Sequence, residues 1–274
     1  MFPAYQNSTE TFEIYQRKGS HISPHLHTSI ECVYVTEGSL ELGIGTDLYH
    51  MAQGDFALVV PGLIHHYQCF FEGKSKITYF LAALPLSGSF QTVLQSSRPE
   101  NPVLPAKLVH PDIVYALRTI LSSSRVHRKN PIPYADVMRQ AYLQIILSRA
   151  LPHMKMVERT GAESDDLMFR TVCYVAEHYT EEITLTGMAA DLHVSPYALS
   201  RLFSSVFHMN FNQYVNDMRL EYARYLLENT DQTITEAYEN AGFASQRTFN
   251  RVFRDEYHMS PREYRNAYRA SADQ

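Results

Sequence analysis

Lysine is missing from one end of this chain. None occurs after Lys155, and residues 165–274 carry 10 Arg against 16 Asp plus Glu, a net of −6. Bulk attraction to a polyanion is therefore excluded there, and any such binding must rest on particular arginines and be very sensitive to salt. Cysteine is also scarce. Cys32, Cys69 and Cys173 are too few and too scattered for a disulfide framework, which fits a reducing compartment, and Cys69 is expected as a buried structural thiol. No apolar run approaches the ~18 residues of a membrane span. The opening Met1-Phe-Pro-Ala-Tyr-Gln lacks the basic and apolar blocks of a signal peptide, so a cytoplasmic location without a membrane partner is expected. What remains is ordinary for a soluble protein of two domains: 274 residues, 45% hydrophobic, net charge −5.

One pattern occurs twice. Ser195, Leu199-Ser-Arg-Leu-Phe203, His208-Met209 and Tyr214 recur as Ser245, Phe249-Asn-Arg-Val-Phe253, His258-Met259 and Tyr264, each fifty positions on. Constant register over this many positions implies two copies of one helical unit. Leu185, Met188, Ala189 and Leu192 keep helical spacing, as do Leu199, Leu202, Phe203, Val206 and Phe207. Ser195 then Pro196 reads as an N-cap and first helical position. Thr233 to Glu236 and Ser260 to Glu263 have capping-box spacing, Ser245 caps another helix, and Gly242 can supply a positive φ. Asn212 to Glu228 reads as one long joining helix. Short helix, tight turn and second helix with an exposed Arg is the build of a helix-turn-helix DNA reader.

Arg219, Ala223, Leu227, Ile234, Gly242-Phe243, Phe249, Arg251-Val-Phe253, Ser260-Pro261 and Tyr264-Arg265 resemble the C-terminal signature of the AraC/XylS family of transcription regulators. The resemblance spans about a hundred residues. It implies two recognition helices entering successive major grooves, roughly 34 Å apart on one face of DNA. Matched by position, the first would read with Tyr197, Ser200 and Arg201, the second with Gln246, Arg247, Asn250 and Arg251. Arg can bond a guanine edge bidentately, and Gln or Asn an adenine edge. Thr248 and the helix N-termini would hold phosphates. Arg247, Arg251 and Arg254 gather on one helix against the acidic net charge. Three departures stand out. Tyr238 occupies a place where Ala is usual and where the first copy has Ala189; a large ring there is expected to push the second recognition helix outward or weaken its unit. His208 and His258 stand where Gly is frequent, so each turn is expected to be strained or different.

The N-terminal part differs in kind. Glu31–Thr36, Leu40–Ile44, Asp55–Val60, His66–Phe71 and Lys76–Ala82 are short β-branched or aromatic runs, punctuated by glycines such as Gly38, Gly54, Gly62 and Gly73. Such spacing predicts a sandwich or barrel. Gly19-x5-His25-x-His27-x3-Glu31-x6-Gly38 resembles the first motif of the cupin superfamily, and Gly54, Pro61-Gly62 and His65 part of the second, with Cys69 where Asn is common. The resemblance implies a double-stranded β-helix barrel with His25, His27, Glu31 and His65 facing one cavity. Strand alternation puts His25 and His27 on one face. Three imidazoles and a carboxylate can hold Zn, Fe, Mn or Ni. The same groups can equally hydrogen-bond one another or a sugar-like ligand. Tyr67 and Tyr79 are expected to line the pocket, with His66 as a further candidate and His50 on the surface.

Ile113, Leu117, Ile120 and Leu121 form one helical face, and Val137, Met138, Ala141, Ile145 and Ile146 another, with Asn130 to Pro133 breaking between them. The expected fold class is α+β and multidomain: a cupin-like barrel with N-terminal arm (1–108), a helical pair for dimerisation (109–151), a linker (152–164) and an all-α tandem helix-turn-helix domain (165–274). The pair can instead pack wholly on the barrel. The expected function is a ligand-responsive transcription regulator and not an enzyme. A small polar effector, with a sugar as the family-weighted choice, would bind the barrel, the arm of residues 1–18 folding over it. The homodimer would then bind double-stranded operator DNA and touch RNA polymerase as an activator or act as a repressor. Two other readings stay open: a metal-dependent cupin enzyme or metal sensor fused to a DNA-binding domain, and a constitutive regulator whose barrel only dimerises.

Overall fold

The computed structural model describes residues 12–19, 21–45, 47–69, 75–127, 133–159 and 166–272. They fall into two compact units, within residues 7–163 and 164–274. Residues 1–11 of the expected arm, Gly73, Gly161, and 130–132 of the expected helix break lie outside the described residues.

The first unit opens with β1 (Phe12–Lys18), β2 (Ile22–His25), β3 (Ser29–Glu37), β4 (Ser39–Ile44), β5 (Asp47–Ala52), β6 (Phe56–Val59), β7 (His65–Gln68) and β8 (Lys76–Ala83). A short helix α1 (Gln91–Ser96), β9 (Ser97–Pro99) and β10 (Val103–Leu104) follow, then α2 (Pro111–His127), α3 (Ala135–Ala150) and β11 (Met156–Glu158). Two antiparallel sheets form the barrel, in the orders β1-β8-β3-β6-β10 and β2-β7-β4-β5. β3 is central, and Ile30, Cys32, Val33 and Val35 are fully buried there. Both faces of that strand are covered, so apolar residues follow one another along it without alternation, with Glu31 set among them for the site.

Three elements depart from the expected pattern. Residues 12–18 are not an arm, because β1 pairs along its whole length with β8, from Phe12 opposite Ala82 to Lys18 opposite Lys76. β5 lies at a sheet edge with mostly exposed side chains, so it carries little of the apolar pattern by which strands are found. Part of the stretch expected as linker, Met156–Glu158, pairs with Ser97–Pro99.

The two helices pack on each other, and Arg149 Nε donates to Asp112 Oδ2 at 2.9 Å between them. Ile113, Leu117 and Ile120 are buried on α2 as expected. On α3 the buried stripe is Leu143, Ile146, Leu147 and Ala150. Of the face expected there, only Ile146 is buried; Val137, Met138 and Ile145 are exposed. The helix carries two apolar stripes, and the one with the leucines faces inward.

The second unit is all helix: α4 (Leu167–His178), α5 (Leu185–Asp191), α6 (Pro196–Ser205), α7 (Phe211–Asn229), α8 (Ile234–Asn240), α9 (Gln246–Tyr257) and α10 (Pro261–Ala272). The expected caps form. Ser195 Oγ accepts from Ala198 N, Ser245 Oγ from Thr248 N, and Thr233 and Glu236 make a reciprocal capping box. Each such cap contributes about 1 kcal/mol. The joining helix α7 serves both copies. Its first half places Phe211 and Tyr214 against Phe203, with ring centroids 5.6 and 5.5 Å away. Its second half places Leu220, Ala223, Leu226 and Leu227 against Ala237, Phe243, Phe249 and Phe253.

Candidate functional sites in the barrel and on the helix-turn-helix unit

The barrel site is built by the ends of β2 and β7 and the middle of β3. His25 ends β2 and sits opposite His65 on β7. His27 lies two residues past the end of β2, not on the strand, yet its ring still faces inward beside His25. One ligand atom from each of His25, His27, Glu31 and His65 lies within 4.8 Å of the other three, and all four residues are buried.

Each imidazole is held from behind by a main-chain carbonyl. The Nδ1–H groups donate to Ser23 O (2.9 Å), Ser29 O (3.0 Å) and Leu63 O (2.9 Å) for His25, His27 and His65. A carbonyl can only accept, so this geometry assigns the proton to Nδ1 and turns every Nε2 to the centre. There, Nε2 of His27 and of His65 stand 2.8 and 3.0 Å from the same oxygen, Glu31 Oε2. Neutral rings would point two lone pairs at a carboxylate. The cluster thus needs added positive charge, as extra protons or as a cation. Burial alone would raise the Glu31 pKa, but hydrogen bonds from His27 and His65 and their charge outweigh it and hold the carboxyl far below its ordinary range. His25 is pushed well below the usual His pKa, first by burial and then by His65 and His27. Among the described residues its buried Nε2 has no hydrogen-bond partner.

These residues fit a divalent metal on the structure's own terms. Inward Nε2 atoms backed by Nδ1–H···O=C bonds are the outer-shell arrangement of metal-bound histidine. Bonds of about 2.0–2.2 Å place donors up to ~4.3 Å apart, so a small contraction would close the set on an ion. Tyr67 stands next to the cluster and Tyr79 behind it, with His65–Tyr67 and Tyr67–Tyr79 centroids 5.7 and 5.3 Å apart. His50 lies outside, bonded to Glu41, and His66 packs its ring over Gly43. Sequence reasoning missed Tyr15 and Arg17. Tyr15 stacks on Tyr79 at 5.3 Å, and the Arg17 guanidinium lies 5.4 Å from the Tyr15 ring. Burial raises the pKa of both Tyr15 and Tyr67, with Glu31 beside Tyr67 adding to it, so both stay protonated.

On the second unit, Leu199 and Phe203 of α6 are buried while Tyr197, Ser200 and Arg201 face out, Tyr197 at 74% exposure. α9 repeats this, with Phe249 and Phe253 inside, Gln246, Arg247 and Arg251 outside, and Thr248 and Asn250 half-buried. Arg251 leans on Asp255 at 3.4 Å, and Thr248 Oγ1 accepts from Ser245 Oγ. Arg254 joins Arg247 and Arg251 on the exposed side. The turn before α9 is one residue longer than the turn before α6, which shifts the repeat from 49 positions in α5 and α8 to 50 beyond. Gly242 supplies that turn with φ 84°, and a Cβ there would meet the Thr180 backbone at 2.6 Å. Tyr238 is half-buried and stacks on Phe249 at 5.7 Å, so its ring covers the edge of the core rather than entering it. His208 and His258 are left-handed, as is His193.

Fold and sites together define a class: a cupin-type barrel joined in one chain to a paired helix-turn-helix unit. A cupin-domain family model matches residues 12–79 and a helix-turn-helix-domain model residues 188–267. The HTH-type transcriptional regulator YijO of Escherichia coli is 34% identical over 110 residues, 40% of this chain and 39% of that protein. The HTH-type transcriptional regulator MtrA of Neisseria gonorrhoeae is 26% identical over 175 residues, 63% of this chain and 58% of its own length. The chain thus spans only about two-fifths to three-fifths of these relatives. ToxT from Vibrio cholerae has the same fold, at TM-score 0.57 and 14% identity over 95% of this chain and 98% of that one. The chain thus carries a cupin domain and a helix-turn-helix domain similar to those of HTH-type transcriptional regulators.

Proposed function

We propose that the protein is a sequence-specific DNA-binding transcription regulator whose DNA affinity depends on what occupies the barrel. The observation that carries the first half is the repeat in three dimensions. Two capped helices each expose an Arg and polar neighbours over a buried aromatic or apolar pair. α7, 19 residues and so about 28 Å long, spaces them on the scale of one turn of DNA. Arg201→Ala and Arg251→Ala should each cost about 1–3 kcal/mol on a duplex selected from a random pool, and much less on unselected DNA. Equal loss on both would leave the two arginines as phosphate contacts only.

For the effector, the cluster of His25, His27, Glu31 and His65 favours a divalent cation, or a small polar ligand bound with one, over a sugar alone. The supporting observation is the positive charge that the inward Nε2 atoms require. Tyr67, Tyr79, Tyr15 and Arg17 complete a polar wall. Elemental analysis of the untagged protein should find about one metal per chain, lost in His27→Ala with the fold retained. A metal-free protein stabilised by a neutral sugar would return the site to the sugar reading.

The active form is a homodimer formed through the exposed stripe of Tyr115, Val137, Met138 and Ile145 on α2 and α3. Asp112 and Arg149 pair with each other beside that stripe, so the surface there carries little net charge to oppose a second copy. RNA polymerase is the proposed partner on the promoter. The domain roles are a barrel that binds effector, a helical pair that dimerises, a connecting segment and a DNA-binding unit.

A further inference from the structure

One arginine ties the strand leaving the barrel unit to the histidine site. Arg159 follows β11, which pairs with β9. Its main chain is fixed, because Arg159 N–H donates to Ser96 O at 3.0 Å. Its side chain crosses to a distant turn, where Nη1 donates to Pro61 O at 2.7 Å. Nη2 lies 3.2 Å from where a Cβ on Gly62 would stand, so the guanidinium covers that turn closely. Gly62 holds φ 75°, a shape that other residues adopt only with strain.

The same turn carries two of the bonds that hold the site. Gly62 N–H donates to His27 O at 2.8 Å, and Leu63 O accepts from His65 Nδ1. A continuous set of bonds therefore runs from His27 and His65, through Gly62 and Leu63, to Pro61 O and Arg159. Contraction of the two histidines on an occupant would pull this turn, and the turn would pull Arg159. Beyond Arg159 the chain runs to Asp166, which caps the first helix of the second unit. A guanidinium suits the task because its planar fork fixes a carbonyl and a surface at once.

We propose that Arg159 couples occupancy of the His25, His27, Glu31 and His65 site to the segment that leads into the DNA-binding unit. This rests on the regulator reading above. Arg159 is a positioning residue here, neither a ligand of the site nor a DNA contact. Its removal should leave both binding events intact and abolish the influence of one on the other.

The test uses the full-length chain, Zn2+ as probe and a duplex selected from a random pool. In the wild type, Zn2+ should change DNA affinity by a factor of about 5–150, and DNA should change Zn2+ affinity by the same factor. In Arg159→Met both affinities measured alone should stay as in wild type, while the factor falls to one. Arg159→Lys, which keeps one donor for Pro61 O, should retain part of it. A wild-type factor in Arg159→Met overturns the inference and leaves the regulator reading standing. Loss of Zn2+ binding itself in that variant also overturns it, since Arg159 would then be part of the site's framework. A wild type with no factor overturns the effector reading, and the inference with it.

Discussion

At the scale of the residue, three histidines bear a backbone cost, and the sequence makes two of them visible. His193, His208 and His258 hold φ of 54°, 54° and 55° near helix ends. A left-handed non-glycine residue costs of order 1 kcal/mol or more, partly offset by the greater chain entropy that a glycine brings to the unfolded state. His208→Gly and His258→Gly should therefore each stabilise the second unit by up to about 1 kcal/mol in urea unfolding. A lower midpoint would mean that the imidazoles make contacts worth more than the backbone strain. Sequence pointed to His208 and His258 because Gly is frequent at those places in the family whose signature this unit resembles. His193 escaped because the turn before α9 has an extra residue and a glycine of its own. The barrel cluster was legible for a similar reason, since its spacing survives ungapped. Arg159 was not, because its bond to Pro61 spans 98 positions and leaves no periodic trace.

At the scale of the element, the second recognition helix is held by charge as well as by rings. Arg224 on α7 binds Glu228 through two contacts of 2.8 Å and reaches Glu221 at 3.2 Å. Tyr264 on α10 donates to Glu228 at 2.6 Å, and Tyr257 on α9 to Glu221 at 3.0 Å. Arg224→Ala would take the counter-ion from two partly buried carboxylates, leaving each with its tyrosine hydrogen bond, and should destabilise this unit by about 3 kcal/mol, whereas Arg224→Met with both glutamates replaced by Gln should recover much of the loss. Equal loss in both would place the effect in packing. The end of the unit also has a defined acid response. Hydrogen bonds from the Ser260 side chain and backbone hold Glu263 below its ordinary pKa, and Thr233 does the same for Glu236. With the folded value below the unfolded one, the stabilisation is complete above about pH 4.5 and is lost as pH falls further. Carboxyl shifts followed by NMR should show both midpoints below that of a free Glu, and Glu263→Gln should remove its share. The capping pattern was readable because it depends on neighbours three residues apart. The buried face of α3 was not, since its two apolar stripes are nearly equal in sequence and only packing chooses between them.

At the scale of the whole molecule, the chain joins two units whose sequences speak in different periods. The helical unit shows its 3.6-residue spacing twice over, which makes both helix-turn-helix copies legible, whereas α4 lies outside the repeat and is not read from it. The barrel shows its glycines and its core strands but hides β1 and β5, one within a stretch expected as an arm and one at an exposed edge. Dimerisation belongs to this scale as well. Ile145→Glu on the exposed stripe should shift the chain toward monomer in sedimentation velocity and weaken DNA binding, with the barrel's melting unchanged; a monomeric wild type would remove the helical pair from that role. Control of the DNA-binding unit by the barrel site is what joins the two halves of the proposed function. The most direct measurement is DNA affinity of the full-length chain, on a selected duplex, across a titration of free Zn2+ from chelated to saturating. Affinity should change at least about fivefold in the wild type and stay constant in His27→Ala. An identical affinity throughout, with Zn2+ demonstrably bound, would contradict it.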